Sequence, residues 1–117
     1  MNIRLLIVEP DEEVLQSHLA FFRRATDFEV ESALGFDECN EKIVVFDPHV
    51  LLLEPACPGG LDILDQAEVP VVVLSRLSTD QELRSHPSVS EYYVKPQPLA
   101  KIKKKIEELA NLPSQNL

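Results

Sequence analysis

The chain has 117 residues and carries 11 Lys and Arg against 20 Asp and Glu, a net charge of −9 at pH 7. That length suits one domain with one core, which hides about two thirds of its unfolded surface, and the charge opposes the phosphate backbone that a nucleic-acid binder must neutralise. The apolar run Leu5 to Val8 is too brief for a secretory leader and meets Glu9 at once, and no stretch reaches the ~20 apolar residues of a membrane span.

In chain order, residues 3–8 (IRLLIV) form a nearly continuous apolar run ending at Glu9-Pro10, the pattern of a strand buried on both faces. Asp11 is placed to cap a helix reaching about Arg24, with Glu12 and Glu13 in its first turn and Val14, Leu15, Leu19 and Phe22 at helical spacing. Residues 28–33 (FEVESA) alternate and predict a second, peripheral strand. Asp37 then opens a helix through Cys39, Ile43 and Phe46, which Asp47-Pro48 stops. Residues 50–53 (VLLL) are the most apolar stretch and end on Glu54, followed by a loop with Pro55, Pro58, Gly59 and Gly60.

Residues 61–67 allow at most two helical turns, and residues 69–74 (VPVVVL) predict another buried strand. Ser78 and Gln81 have the spacing of a capping box for a short helix that His86-Pro87 ends. Residues 92–94 predict a fifth strand, and Leu99, Ile102, Ile106 and Leu109 the buried stripe of a last helix that stops before Pro113. Strict alternation of strand and helix implies an α/β fold, a doubly wound five-stranded parallel sheet of flavodoxin-like order 2-1-3-4-5 with helices on both faces. Cys39 and Cys57 have neither CxxC nor Cys/His spacing, so both read as structural thiols in a reducing cytoplasm. His18, His49 and His86 have no spacing that suggests a ligand set or a phosphorelay histidine.

In such sheets ligands sit beyond the carboxyl ends of the central strands. Those ends are Glu9, Glu54, Ser75 and Lys95, which brings two carboxylates, a hydroxyl and an ammonium together. With LLIVEPDEE, HVLLLEPACPGG, PVVVLS and EYYVKP around them, the chain resembles the receiver domain of bacterial response regulators, over residues 1–112 with a C-terminal tail at 113–117. The resemblance implies that Glu9 holds the first acidic position of a Mg²⁺ site, Pro10 the second, Glu54 the phosphoacceptor position, Ser75 the hydroxyl and Lys95-Pro96 the Lys-Pro pair. It further implies that Pro58 is the loop proline and Tyr92 the switch aromatic.

The departures define the expectation. Pro10 supplies no side-chain oxygen to a hard cation, and Asp11 is engaged as a helix cap. Glu54 is one methylene longer than Asp, and a ~1 Å misplacement of a nucleophile can cost about a hundredfold. The loop after Pro58 and the third helix are also shorter than the family's. This reads as a pseudo-receiver: no cofactor, Mg²⁺ binding weak or absent, no enzymatic activity, and a phosphorylation-independent protein-protein interaction module in two-component signal transduction. The alternative is a receiver still phosphorylated in a phosphorelay. Only Gly35, Gly59 and Gly60 are present and no glycine-rich phosphate loop follows a strand, which argues against a nucleotide-binding enzyme.

Glu54 itself has two readings. One is a carboxylate left by drift and paired with Lys95; the other is a fixed charge that mimics the phosphorylated state. The resemblance places partner docking on the fourth helix, fifth strand and last helix. Tyr92 and the basic residues Lys101, Lys104 and Lys105 are its candidate contacts, with no membrane or nucleic acid involved. A solvated face balancing the helix dipole also accounts for the lysines.

Overall fold

The computed structural model describes residues 2–76 and 81–111. Its elements are β1 (Ile3–Val8), α1 (Glu12–Arg23), β2 (Phe28–Ala33), α2 (Phe36–Phe46), β3 (Val50–Leu53), α3 (Gly60–Gln66), β4 (Val71–Ser75), α4 (Gln81–Arg84), β5 (Val89–Val94) and α5 (Leu99–Ala110). The strands form one parallel sheet in the order β2-β1-β3-β4-β5, as the alternating pattern predicts.

Side-chain alternation divides each strand between two cores. Leu5, Ile7, Val50, Leu52, Val72 and Leu74 pack with Leu15, Leu19 and Phe22 of α1 and Ile102 and Ile106 of α5. On the other face Leu6, Val8, Leu51, Leu53, Val71 and Val73 pack with Cys39 of α2, Ile63 and Leu64 of α3 and Leu83 of α4. Because both faces are covered, β3 is buried at every position, which is why its sequence reads as an unbroken apolar run.

Details of several elements differ from expectation. β4 begins at Val71, not Val69; Pro70 has no N–H to give a ladder, and its carbonyl instead accepts from Leu51 N (3.0 Å). β5 begins at Val89, ahead of Tyr92. A register shift between Val71↔Val89 and Val72↔Glu91 leaves Ser90 as the extra residue of a bulge, which breaks the period-two signal. α2 starts at Phe36 with Gly35 as its N-cap, not Asp37, because Phe36 N donates to Pro58 O (2.9 Å) and ties the helix start to the loop after β3. In α1, His18 joins the buried stripe of Leu15, Leu19 and Phe22, while Val14 is only half-buried. The Ser78 cap falls outside the described residues.

The loop from Glu54 to Gly60 turns sharply on two glycines. Gly59 has φ 73°, and a Cβ on Gly60 would stand 2.1 Å from the Pro55 carbonyl oxygen, a contact only glycine avoids. This turn brings the start of α3 back against Pro55, the residue after Glu54.

Candidate functional site

Glu9, Glu54, Ser75 and Lys95 converge at the carboxyl edge of the sheet. They line a hollow of about 320 Å³ together with Pro10, Asp11, Ala56 and Arg76. The backbone fixes their positions: Glu9 N donates to Ala33 O (3.1 Å), Glu54 N to Val8 O (2.9 Å) and Lys95 N to Ser75 O (2.7 Å), so each of these residues is a continuation of the sheet ladder. The Lys95–Pro96 peptide is cis.

At the centre is one ammonium held by two carboxylates. Lys95 Nζ lies 2.8 Å from Glu9 Oε1 and 3.0 Å from Glu54 Oε1. The other oxygen of each carboxylate accepts from the backbone N–H two residues on: Asp11 N to Glu9 Oε2 (3.1 Å) and Ala56 N to Glu54 Oε2 (3.0 Å). Every carboxylate oxygen of the pair therefore has a donor. Glu9 is 3 % exposed and Glu54 6 %, so these contacts operate with little screening by water. Ion pairs taken out of water are maintained only where the remaining lone pairs are also satisfied, and here the two turns supply those partners.

The sequence argument anticipates the Glu54–Lys95 pair, but not that Glu9 shares the same ammonium. Asp11 is the N-cap expected of it: Oδ1 accepts from Glu13 N (3.0 Å) and Val14 N (3.2 Å), and Oδ2 stands 4.0 Å from Arg76 at the exposed rim. Arg76 was not anticipated; its place directly after the β4 terminus was the available signal. Ser75 is fully buried at the end of β4.

His18 is a second group that the sequence did not single out. It is buried on α1, and its Nδ1 has no hydrogen-bond partner. Burial lowers its pKa below the ordinary imidazole value, while the Glu9 carboxylate pulls it up and the Lys95 ammonium pushes it down. The ring thus senses the charges of the site from inside the α1 core.

The donor set does not suit a hard divalent cation. Pro10 contributes no side-chain oxygen, Asp11 Oδ1 is taken up by its cap, and both glutamates are turned onto Lys95. Among the described residues no group of three His, Cys, Asp or Glu side chains is arranged to hold a metal ion.

The residues expected to contact partners lie at the β5 edge and along α5. Tyr92 is half-buried against the α3–α4 core, with the Arg84 guanidinium 4.3 Å above its ring. The lysines of α5 do not make one face. Lys101 sits 5.5 Å over the Tyr93 ring, Lys105 pairs with Glu91 (3.7 Å) and Glu108 (3.8 Å), and Lys103 turns toward Glu107 (3.4 Å) and Phe28. Lys104 is exposed.

The sheet order, together with acidic, hydroxyl and ammonium groups at the ends of β1, β3, β4 and β5, is the arrangement seen in CheY-like receiver domains, the module of two-component response regulators. Known proteins agree. The regulatory protein VanRB of Enterococcus faecalis is 27 % identical over 117 aligned residues, covering 93 % of this chain and 53 % of that protein. The chain therefore spans about half the length of this curated relative. Among solved structures, the beryllofluoride-activated receiver domain of Klebsiella pneumoniae RstA matches with a TM-score of 0.79 and 25 % identity, over 93 % of this chain and 99 % of that one. The non-phosphorylated HemR receiver domain of Leptospira biflexa matches with a TM-score of 0.81 and 21 % identity, over 97 % and 98 %. An activated and a non-phosphorylated receiver fit almost equally well, so backbone likeness does not assign a signalling state. No family model matches the chain. Receiver domains are signalling domains that interact with other signalling proteins, and are not typically enzymes. No helix among the described residues is long and apolar enough to cross a membrane.

Proposed function

We propose that this receiver domain works as a phosphorylation-independent protein-protein interaction module, without enzymatic activity and without a bound metal, in the cytoplasm. The observation that carries the reading is the position of Lys95 between Glu9 and Glu54. Phosphoryl transfer to a carboxylate needs an oxygen aligned with the donor and cations to neutralise the charge that develops. Here both oxygens of Glu54 already accept from fixed donors, and Pro10 removes a metal ligand. The buried free thiols Cys39 and Cys57, whose pKa values burial raises to about 11, fit a reducing compartment.

In this reading Glu54 draws Lys95 as a phosphoryl group would, and the charge is permanent. Partners then dock on α4, β5 and α5 through Tyr92, Lys101, Lys104 and Lys105 without a phosphodonor. Glu54→Gln keeps the shape of the side chain and removes its charge. Amide NMR shifts of residues 89–94 and 99–110 should move together in this variant if the charge sets the docking face. Shifts confined to residues 53–56 and 95 would leave Glu54 as a local ion pair and nothing more.

A second reading is a receiver still phosphorylated at Glu54 in a phosphorelay. It is favoured by the open hollow beside Ser75, Lys95 and Arg76, which has room for a phosphoryl group.

A further inference from the structure

The face of α2 turned away from the sheet carries two neighbouring valines in water: Val44 is 81 % exposed and Val45 88 %. β-Branched residues are indifferent helix formers, so helix stability does not account for them. They form a ridge between two hollows. On one side Val45 faces a hollow of about 480 Å³ with Glu31, Glu41 and Lys42; on the other Val44 borders one of about 330 Å³ with Ile43, Ile63 and Glu68. The second hollow exists because α3 is only seven residues long and ends at Gln66, leaving Ile43 half-buried.

The charges along this ridge are lopsided. Lys42 is held by Glu31 and the Ser32 carbonyl, and Arg4 by Asp47. Glu41, one turn before Val45, and Glu68, beside Val44, have no ion pair among the described residues. An apolar ridge flanked on both sides by uncompensated carboxylates is the complement of one ligand class. That class is an amphipathic helix with Lys or Arg beside its apolar stripe. An anionic lipid surface would be repelled by the same carboxylates. A second copy of this chain is a poor fit: on its basic helix Lys103 and Lys105 are engaged, and Ile102 and Ile106 are buried in its own core.

We infer that the Val44–Val45 ridge of α2 is a docking surface for a basic amphipathic helix of a partner protein, separate from the sheet-edge site and independent of Glu54. The test uses the 117-residue chain, labelled with ¹⁵N and titrated with a synthetic amphipathic helix of leucine and lysine. Amide shifts should concentrate on residues 41–46 and 63–68. The double variant Val44→Ser, Val45→Ser should bind about tenfold or more weakly with an unchanged unfolding midpoint. Glu41→Gln with Glu68→Gln should flatten the salt dependence. A leucine–glutamate helix should not bind. Shifts spread over the acidic surface at large, or equal affinity for the serine variant, would overturn the proposal. So would self-association of the free chain that the serine variant abolishes, which would assign the ridge to a second copy.

Discussion

The ammonium of Lys95 and the carboxylate of Glu54 stand 3.0 Å apart, with 15 % and 6 % of their side chains exposed. Because Glu9 completes the triad at 2.8 Å, the edge of the sheet holds two negative charges and one positive charge in little water. Removing the positive member leaves both carboxylates without their counter-charge.

Lys95→Met leaves two buried carboxylates facing each other with no counter-charge. Loss of one partner of a buried pair typically costs about 3 to 5 kcal/mol, and urea unfolding should record a loss in that range. Glu54→Gln, by contrast, leaves Lys95 paired with Glu9 and should cost less. Adding it to Lys95→Met should recover part of the loss, a coupling that a double-mutant cycle measures.

Titration calorimetry with Mg²⁺ should reveal no site tighter than about millimolar, because a hard cation would have to displace Lys95 and still lack a ligand at Pro10. Pro10→Asp restores a side-chain oxygen at that position and should strengthen binding measurably. A micromolar isotherm for the unaltered chain would mean that Asp11 or a backbone carbonyl completes the site.

His18 sets an acid limb of stability. Its folded pKa lies below the ordinary 6.5, chiefly through burial, so the unfolded chain takes up a proton first as the pH falls. Stability is then full above about pH 6.5 and declines below it, toward the folded value. Replacing His18 by Leu removes the titration together with a buried nitrogen that lacks a partner. It should raise stability by about 1 kcal/mol and flatten the decline below about pH 6.5. Thermal unfolding across that range checks both effects.

The sheet order and the buried strands were legible in the sequence because strands buried on two faces leave continuous apolar runs such as Val50–Leu53, and helices leave stripes such as Leu99, Ile102 and Ile106. The four strand-end residues were legible for the same reason, since each marks where an apolar run stops. The division into two cores, one on each face of the sheet, was not, since the chain length implied one. The start of β5 was not legible either, because a bulge at Ser90 interrupts the alternation. Nor was the sharing of Lys95 by Glu9, which depends on how two turns orient their carboxylates, a property of backbone geometry. His18 was set aside with the other histidines as lacking ligand spacing, because a polar residue on an apolar helix stripe carries no local signal of what it faces across the core. The exposed valines of α2 were not legible either, because Val44 and Val45 sit in sequence between the apolar positions Ile43 and Phe46 and only the packed structure reveals their solvation.

The central claim of the proposed function is that Glu54, engaged at both oxygens, does not accept a phosphoryl group. Its most direct test is the intact mass of the chain after incubation with acetyl phosphate and Mg²⁺. An unchanged mass is expected. A persistent gain of roughly 80 Da that disappears in Glu54→Gln would contradict the account and place the domain among phosphorylated receivers.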